Sequence, residues 1–321
     1  MGLLLGLAGC TVEQGSGDAK FRLLPPEETG INFANTLTET EDWNIIEYLY
    51  FYNGGGLAVG DVNNDSLPDL FFTANMGPNA LYLNRGGLQF EDATEAAGVG
   101  GAGNWSTGAV MVDINADGWQ DIYVCQVGAY KDRKGRNELF INNQDGTFTE
   151  QAAVYGLDFE GFSTHAAFFD YDRDGDLDCY LLNHSVHSPE NYVKATVRQQ
   201  PDQRGGDRLY RNEGGQFVEV TQEAGIYSSR IGFGLGVAVS DVNKDGWPDL
   251  YISNDFHEND YLYLNQGDGT FKEQAARLLG HTSTFSMGSD IADFNNDGWT
   301  DILSLDMKPA DEAVLKASVG A

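Results

Sequence analysis

Five nine-residue segments align without gaps along this chain of 321 residues: Asp61-Val62-Asn63-Asn64-Asp65-Ser66-Leu67-Pro68-Asp69, and the stretches beginning at Asp113, Asp170, Asp241 and Asp293. Each reads D-x-D/N-x-D-G/S-x-x-D, and their starts are 52, 57, 71 and 52 residues apart. Self-similarity at such a period marks a repeat architecture, in which one supersecondary unit is copied and each copy buries its apolar face on the next.

The flanks repeat with the loops. Before each loop runs a short, small-residue-rich apolar stretch (56–60, 107–112, 165–169, 234–240 and 288–292) that reads as a buried inner strand. After each loop come 70–73, 122–125, 179–182, 250–253 and 302–305, rich in β-branched and aromatic residues. A third run recurs four times, Leu81-Tyr82-Leu83-Asn84, Leu139-Phe140-Ile141-Asn142, Leu209-Tyr210-Arg211-Asn212 and Leu262-Tyr263-Leu264-Asn265. A Gly-containing turn then leads to a fourth run around Phe90, Phe148, Phe217 and Phe271, so the last two form a hairpin. Four strands per period joined by short turns give an all-β fold, a β-propeller of four-stranded antiparallel blades, with about five repeats visible. Four units are complete and the fifth is half complete, which reads as part of a seven-bladed ring. Residues 30–52, with Phe33, Tyr48, Tyr50 and Tyr52, are expected to lend strands to a neighbouring blade.

The loops have the chemistry of a calcium site. Calcium takes six to eight hard oxygens at flexible geometry. Side-chain oxygens at positions 1, 3, 5 and 9, with the carbonyl of position 7, can wrap one ion if the chain turns sharply at position 6. The ligands by this count are Asp61, Asn63, Asp65 and Asp69; Asp113, Asn115, Asp117 and Asp121; Asp170, Asp172, Asp174 and Asp178; Asp241, Asn243, Asp245 and Asp249; Asp293, Asn295, Asp297 and Asp301. Up to five Ca2+ ions follow. Gly118, Gly175, Gly246 and Gly298 occupy the turning position, while Ser66 departs from the pattern and marks the weakest site. The third loop, with four Asp, is expected to bind tightest. An EF-hand would need Glu at position 12 and flanking helices; Phe72, Val124, Leu181, Ile252 and Ser304 stand there, and the flanks read as strands.

Charge narrows the partners. A formal charge of −30 leaves no basic stripe for nucleic acid and disfavours docking on anionic lipid. Five bound ions would offset ten of those charges and relieve the repulsion within each loop. Of three cysteines, Cys125 and Cys179 sit in apolar runs and read as buried thiols, with a disulfide between them left open. The third ends Leu7-Ala8-Gly9-Cys10, which resembles the lipobox of bacterial lipoproteins, where the cysteine is lipidated. The only membrane attachment expected is therefore a lipid anchor at Cys10, and no stretch reaches the length of a transmembrane helix.

These repeats resemble the FG-GAP/VCBS repeats of integrin α-subunit propellers. The chain is more closely similar to the bacterial ASPIC/UnbV-associated proteins, relatives of cartilage acidic protein, through Thr29-Gly30-Ile31-Asn32-Phe33, Tyr52-Asn53-Gly54-Gly55-Gly56, Ser286-Met287-Gly288 and Leu305-Asp306-Met307. The resemblance implies a secreted or surface lipoprotein of the bacterial envelope and a chain that continues past this point. It divides the sequence into a lipoprotein signal, anchor and linker (1–29), a propeller (30–309) and a tail opening a further region (310–321).

On such a scaffold the long second-to-third-strand connections fall on the face opposite the calcium loops, and loops on rigid scaffolds carry recognition. Trp105, Tyr130, His184, His187, Tyr192, Phe256 and His257 form the expected ligand face, for a protein or glycan. The expectation is an adhesion or ligand-binding module and no enzyme; a carbohydrate-active lyase or hydrolase and a structural scaffold are the alternatives. No G-x-S-x-G, phosphate loop or HExxH occurs, and nearly every clustered Asp is assigned to calcium.

Overall fold

The computed structural model describes residues 21–186, 195–256 and 258–307. The first sheet pairs β1 (Leu57–Gly60), β2 (Asp69–Phe72), β3 (Ala80–Asn84) and β4 (Phe90–Asp92) in sequence order, all antiparallel. The second repeats this with β5 (Trp105–Val112), β6 (Asp121–Tyr130), β8 (Glu138–Asn142) and β9 (Phe148–Glu150), and a short strand β7 (Arg133–Lys134) folds back on the extended end of β6. The third is β10 (Ser163–Phe169), β11 (Asp178–Asn183), β12 (Arg208–Asn212) and β13 (Phe217–Glu219). The fourth is β14 (Gly234–Ser240), β15 (Asp249–Asn254), β16 (Tyr261–Asn265) and β17 (Phe271–Glu273), followed by a two-stranded pair of β18 (Ser286–Ala292) and β19 (Asp301–Asp306). These are propeller blades in which each nine-residue motif turns the first strand into the second.

The blades stack by their faces. β1 packs on β5, β5 on β10, β10 on β14 and β14 on β18, with no such packing between β18 and β1, so the described blades form an open arc. Separate apolar clusters fill each gap: Phe71, Leu81, Ile122 and Val124 between blades one and two, Tyr123, Cys125, Leu139 and Leu181 between two and three, and Tyr180, Leu209, Ile252 and Tyr263 between three and four. Burying each large side chain contributes about 1.5–3 kcal/mol. Cys125 and Cys179 lie in the second of these clusters as buried free thiols, and burial pushes both above the usual thiol range.

Burial is deepest in the second strands, where every residue of β11 and β15 is buried. The first strands, expected to be the buried ones, are half-exposed along β14 because they line the axis of the arc. Their small residues answer a different need: a Cβ on Gly108 would stand 2.4 Å from the Thr164 carbonyl, so only glycine lets neighbouring first strands approach this closely. In blades two to five the first strand also slips register near its start, between Ser106/Ala109, Ser163/His165, Gly234/Gly236 and Ser286/Gly288, a bulge that re-aims its opening residue.

Residues 30–52 contain no strand, contrary to expectation. They cross the axial end of the arc and finish in a single 3-10 turn at Leu49–Tyr52. Their aromatic residues favour strands locally, but here they find ring partners in place of a ladder. The tail from 310 onward lies outside the described residues.

Candidate metal loops and the capped opposite face

All five loops fold alike. The position-1 carboxylate accepts the amides of positions 5 and 6, as Asp113 Oδ1 does from Asp117 at 3.0 Å and Oδ2 from Gly118 at 2.9 Å. The position-5 carboxylate accepts the amide of position 7, for example Trp119 to Asp117 Oδ1 at 2.9 Å. Position 6 has φ of 87°, 102°, 89° and 83° at its four glycines and 69° at Ser66, so the first loop holds a serine in the left-handed region, at a cost of about 1 kcal/mol. Position 4 is left-handed as well, at Asn64, Ala116, Arg173, Lys244 and Asn296. No single residue type marks this second left-handed position.

The structure brings Asp170, Asp172 and Asp174 together, with one carboxylate oxygen from each lying within 4.8 Å of the others. In the other loops Asn takes position 3, and Asn115 and Asn243 turn their amide nitrogens to Asp117 and Asp245 at 3.1 and 2.8 Å. In the third loop Asp172 Oδ1 and Asp176 Oδ1 are buried without a hydrogen-bond partner. Orphaned carboxylate oxygens inside an all-oxygen turn fit a hard divalent cation of the calcium type.

Position 9 sits differently from the other three expected ligands. Asp69, Asp121, Asp178 and Asp249 are fully buried at the start of the second strand. One oxygen of each accepts the position-2 amide, at 3.0–3.1 Å, and the other accepts an asparagine amide at the end of the third strand, 2.8 Å for Asn84, Asn142 and Asn265 and 2.9 Å for Asn212. Asp301 accepts its position-2 amide in the same way, from Phe294 at 3.1 Å. Burial pushes Asp121 and Asp249 up to about 6 and Asp178 up to about 7, the backbone amides opposing the rise, and Asp69 moves in the same direction. Two of the asparagines also reach the preceding blade, whereas Asn84 and Asn212 donate their side-chain amides to Pro68 and Leu177 of their own loops. Asn142 Nδ2 donates to the Val62 carbonyl of the preceding blade at 2.8 Å, and Asn265 Nδ2 does the same to Tyr171 at 2.8 Å. The recurrent L-Y-x-N ending was visible as a pattern, but its clamping role was not.

At the opposite end, the expected ligand face is covered. Trp105 and His184 are each 1% exposed, because residues 43–51 lie over them. Trp43 stacks on Trp105 at 5.2 Å between ring centroids, the Arg133 guanidinium lies over Trp43 at 4.6 Å, and Trp43 Nε1 donates to Asp132 at 2.8 Å. The Tyr48 hydroxyl meets His184 Nε2 at 2.9 Å, and Tyr130, half-buried, donates to the Glu47 carbonyl at 2.7 Å. Trp105 and His184 thus serve as the floor of a cap and do not face solvent. Phe256 is half-buried against Phe233 and Tyr50. His187, Tyr192 and His257 lie outside the described residues, as does Cys10. Trp105 has counterparts at the same eight-residue offset ahead of the first loop aspartate, Phe162, Phe233 and Phe285; Phe162 and Phe233 join it in the apolar cluster under the cap, and Phe285 meets Phe256. Beneath the cap a cavity of about 530 Å³ opens on the axis, lined by Tyr50, Thr107, Thr164, His165, Leu235 and Met287. Burial lowers the His165 pKa.

The FG-GAP-like repeat matches residues 48–124, 127–181, 196–252 and 241–304, one match to each described blade junction. The chain belongs to the FG-GAP repeat family. Cartilage acidic protein 1 of Xenopus tropicalis is 24% identical over 277 residues, covering 84% of this FG-GAP chain and 40% of that protein. Human integrin alpha-7 is 27% identical over 238 residues, covering 64% of the chain and 19% of the integrin. The FG-GAP chain thus spans less than half the length of these relatives. Among solved structures, an Agrocybe aegerita lectin that recognises non-reducing terminal N-acetylglucosamine aligns over 77% of the chain and 59% of its own, at 17% identity and a TM-score of 0.42. No helix among the described residues of the FG-GAP chain is long and apolar enough to cross a membrane.

Proposed function

We propose that this FG-GAP chain is a calcium-loaded, extracellular or cell-surface ligand-binding module of the adhesion type, with a protein or glycan as its ligand. The observation that carries the reading is the five-fold recurrence of one oxygen-rich turn, with unpartnered buried carboxylate oxygens in the third copy. In each loop the residues at positions 1, 3 and 5 would hold the ion. The buried position-9 Asp, with both oxygens already accepting amides, would complete the shell through its remaining lone pairs and tie the ion to the third strand. Calcium would supply charge neutralisation and loop rigidity. Integrin alpha chains and cartilage acidic protein 1 are among the relatives this chain matches, which supports binding over catalysis.

The ligand would meet the cap and its rim, since the aromatic floor beneath is closed. Ile46, Leu49 and Tyr52 of the cap are exposed, and the axial cavity opens beside Tyr52. An anchor at Cys10 would hold the module at the bacterial envelope.

The test is a thermal melt with excess CaCl2 and with EDTA, alongside a protein and glycan array probed in both conditions. Calcium-dependent stabilisation by many degrees and calcium-dependent capture of one ligand class support the reading. Equal melting in both conditions with no uptake of calcium overturns it.

A further inference from the structure

Three hydrogen bonds link neighbouring loops. Asn64 Nδ2, at position 4 of the first loop, donates to the Gly118 carbonyl at position 6 of the second, at 3.1 Å. Arg173 Nη1 reaches the Gly246 carbonyl at 3.2 Å, and Lys244 Nζ reaches the Gly298 carbonyl. The chain is broken at one place: position 4 of the second loop is Ala116, whose methyl group cannot donate to the third.

The carbonyl that accepts these bonds is the other end of the peptide unit whose N–H holds a position-5 carboxylate. Trp119, Trp247 and Trp299 donate their amides to Asp117, Asp245 and Asp297 at 2.9, 2.9 and 2.8 Å. A donor on a peptide oxygen fixes the plane of that unit and polarises its N–H, so the bond to the carboxylate tightens. The two cationic residues also rest on the next loop's indole. The Arg173 guanidinium carbon is 5.2 Å from the Trp247 ring centroid, and Lys244 Nζ is 3.9 Å from that of Trp299.

We propose that Arg173 and Lys244, with Asn64 in the lesser role, are positioning residues that couple neighbouring calcium loops. Binding is then cooperative within two blocks, loops one and two and loops three to five, with the boundary at Ala116. The inference rests on the calcium reading above. An ion that orders the third loop fixes Arg173 in its left-handed conformation, at φ 62°, and so aims its side chain at the fourth loop before an ion arrives there. The fourth loop then loses less freedom on binding, which raises its affinity. By linkage the effect runs equally in the other direction. A cation beside a cation site also repels the ion, but these side chains are exposed, so added salt screens that repulsion while orientation survives it.

The experiment is terbium titration of the full chain, read by luminescence sensitised through Trp119, Trp247 and Trp299, with radioactive calcium dialysis for stoichiometry. Arg173→Met removes the donor and keeps the bulk. Read in a Trp119→Phe, Trp299→Phe background, it is expected to weaken the fourth loop by about fivefold, the worth of one exposed hydrogen bond from a charged donor. It should also flatten the binding slope. Arg173→Lys, which installs the donor that Lys244 already uses, should restore both. Ala116→Asn should join the blocks and steepen the slope, a gain that misfolding cannot imitate. Unchanged midpoint and slope in Arg173→Met, at unchanged stoichiometry, overturn the coupling and leave the calcium reading standing. No uptake by the wild-type chain overturns both.

Discussion

Replacing Asp207 by Asn should stabilise the protein at alkaline pH and remove a titration from its stability curve. Asp207 precedes β12 and is buried at 4% exposure, with Oδ1 accepting the Asn183 amide at 2.9 Å and Oδ2 accepting the Tyr180 hydroxyl at 2.8 Å. Burial pushes its pKa up to about 7, the two hydrogen bonds and Arg208 opposing the rise. The unfolded carboxyl titrates near 3.9, so the shift is about three pH units, or roughly 4 kcal/mol at about 1.4 kcal/mol per unit. Because the folded pKa is the higher one, the native state holds the extra proton. Stability from this group is complete below about pH 4 and is lost as pH rises through about 7.

The protein already contains the substitution. Asn137 holds the equivalent place in blade two, where Oδ1 accepts the Gln126 amide at 2.8 Å and Nδ2 donates to Tyr123 at 2.8 Å, freeing that hydroxyl to donate to the Leu157 carbonyl at 3.1 Å. In Asp207→Asn, Tyr180 must likewise find a new acceptor, which costs about 1–3 kcal/mol. The net gain at pH 8 is then about 2 kcal/mol. Urea unfolding of both proteins at pH 4.5, 6, 7 and 8, at one fixed calcium concentration, isolates the residue because the loop carboxylates cancel in the difference. The wild-type minus variant difference should move by about 1.4 kcal/mol per pH unit between about 4 and 7 and flatten above that. Parallel curves, with a constant difference across the range, would refute the assignment.

Asn265→Ala removes a buried clamp to Tyr171 of the neighbouring blade and should cost about 3 kcal/mol in urea unfolding; a loss under 0.5 kcal/mol would show that the junction does not depend on it. Trp105→Ala opens the floor of the cap, with an expected loss of about 3–5 kcal/mol, and should expose residues 35–52 to limited proteolysis before any blade is cut. Cys125 and Cys179, both fully buried, should resist a thiol reagent in the native protein and react together on unfolding; fast labelling of either without denaturant contradicts the packing between blades two and three.

The blade was legible because each of its strands is specified locally. The alternation of small, aromatic and β-branched runs around one turn motif suffices for that. What escaped lies at two longer ranges. The left-handed position 4 is occupied by Asn64, Ala116, Arg173, Lys244 and Asn296, so no residue type announces it, and its contact is with a loop more than fifty residues away. The cap escaped because Trp43, Tyr48 and Tyr50 favour strands on propensity, whereas tertiary stacking on Trp105 and His184 decides their fate. Trp105 taken alone reads as a loop aromatic, whereas its spacing, shared with Phe162, Phe233 and Phe285, marks the start of a repeated first strand.

The path of the amino-terminal segment has a mechanical consequence. Tension applied at residue 21 pulls along no blade strand, because the segment meets the first blade only through side-chain contacts. It loads first the contact of Asn32 with Tyr82 and of Phe33 with Phe72, then the paired Asn35 and Asn75, and only afterwards the indole stack of Trp43 on Trp105. Such a strap yields in succession, so a tethered molecule would lengthen by peeling its cap while the four sheets behind it stay intact.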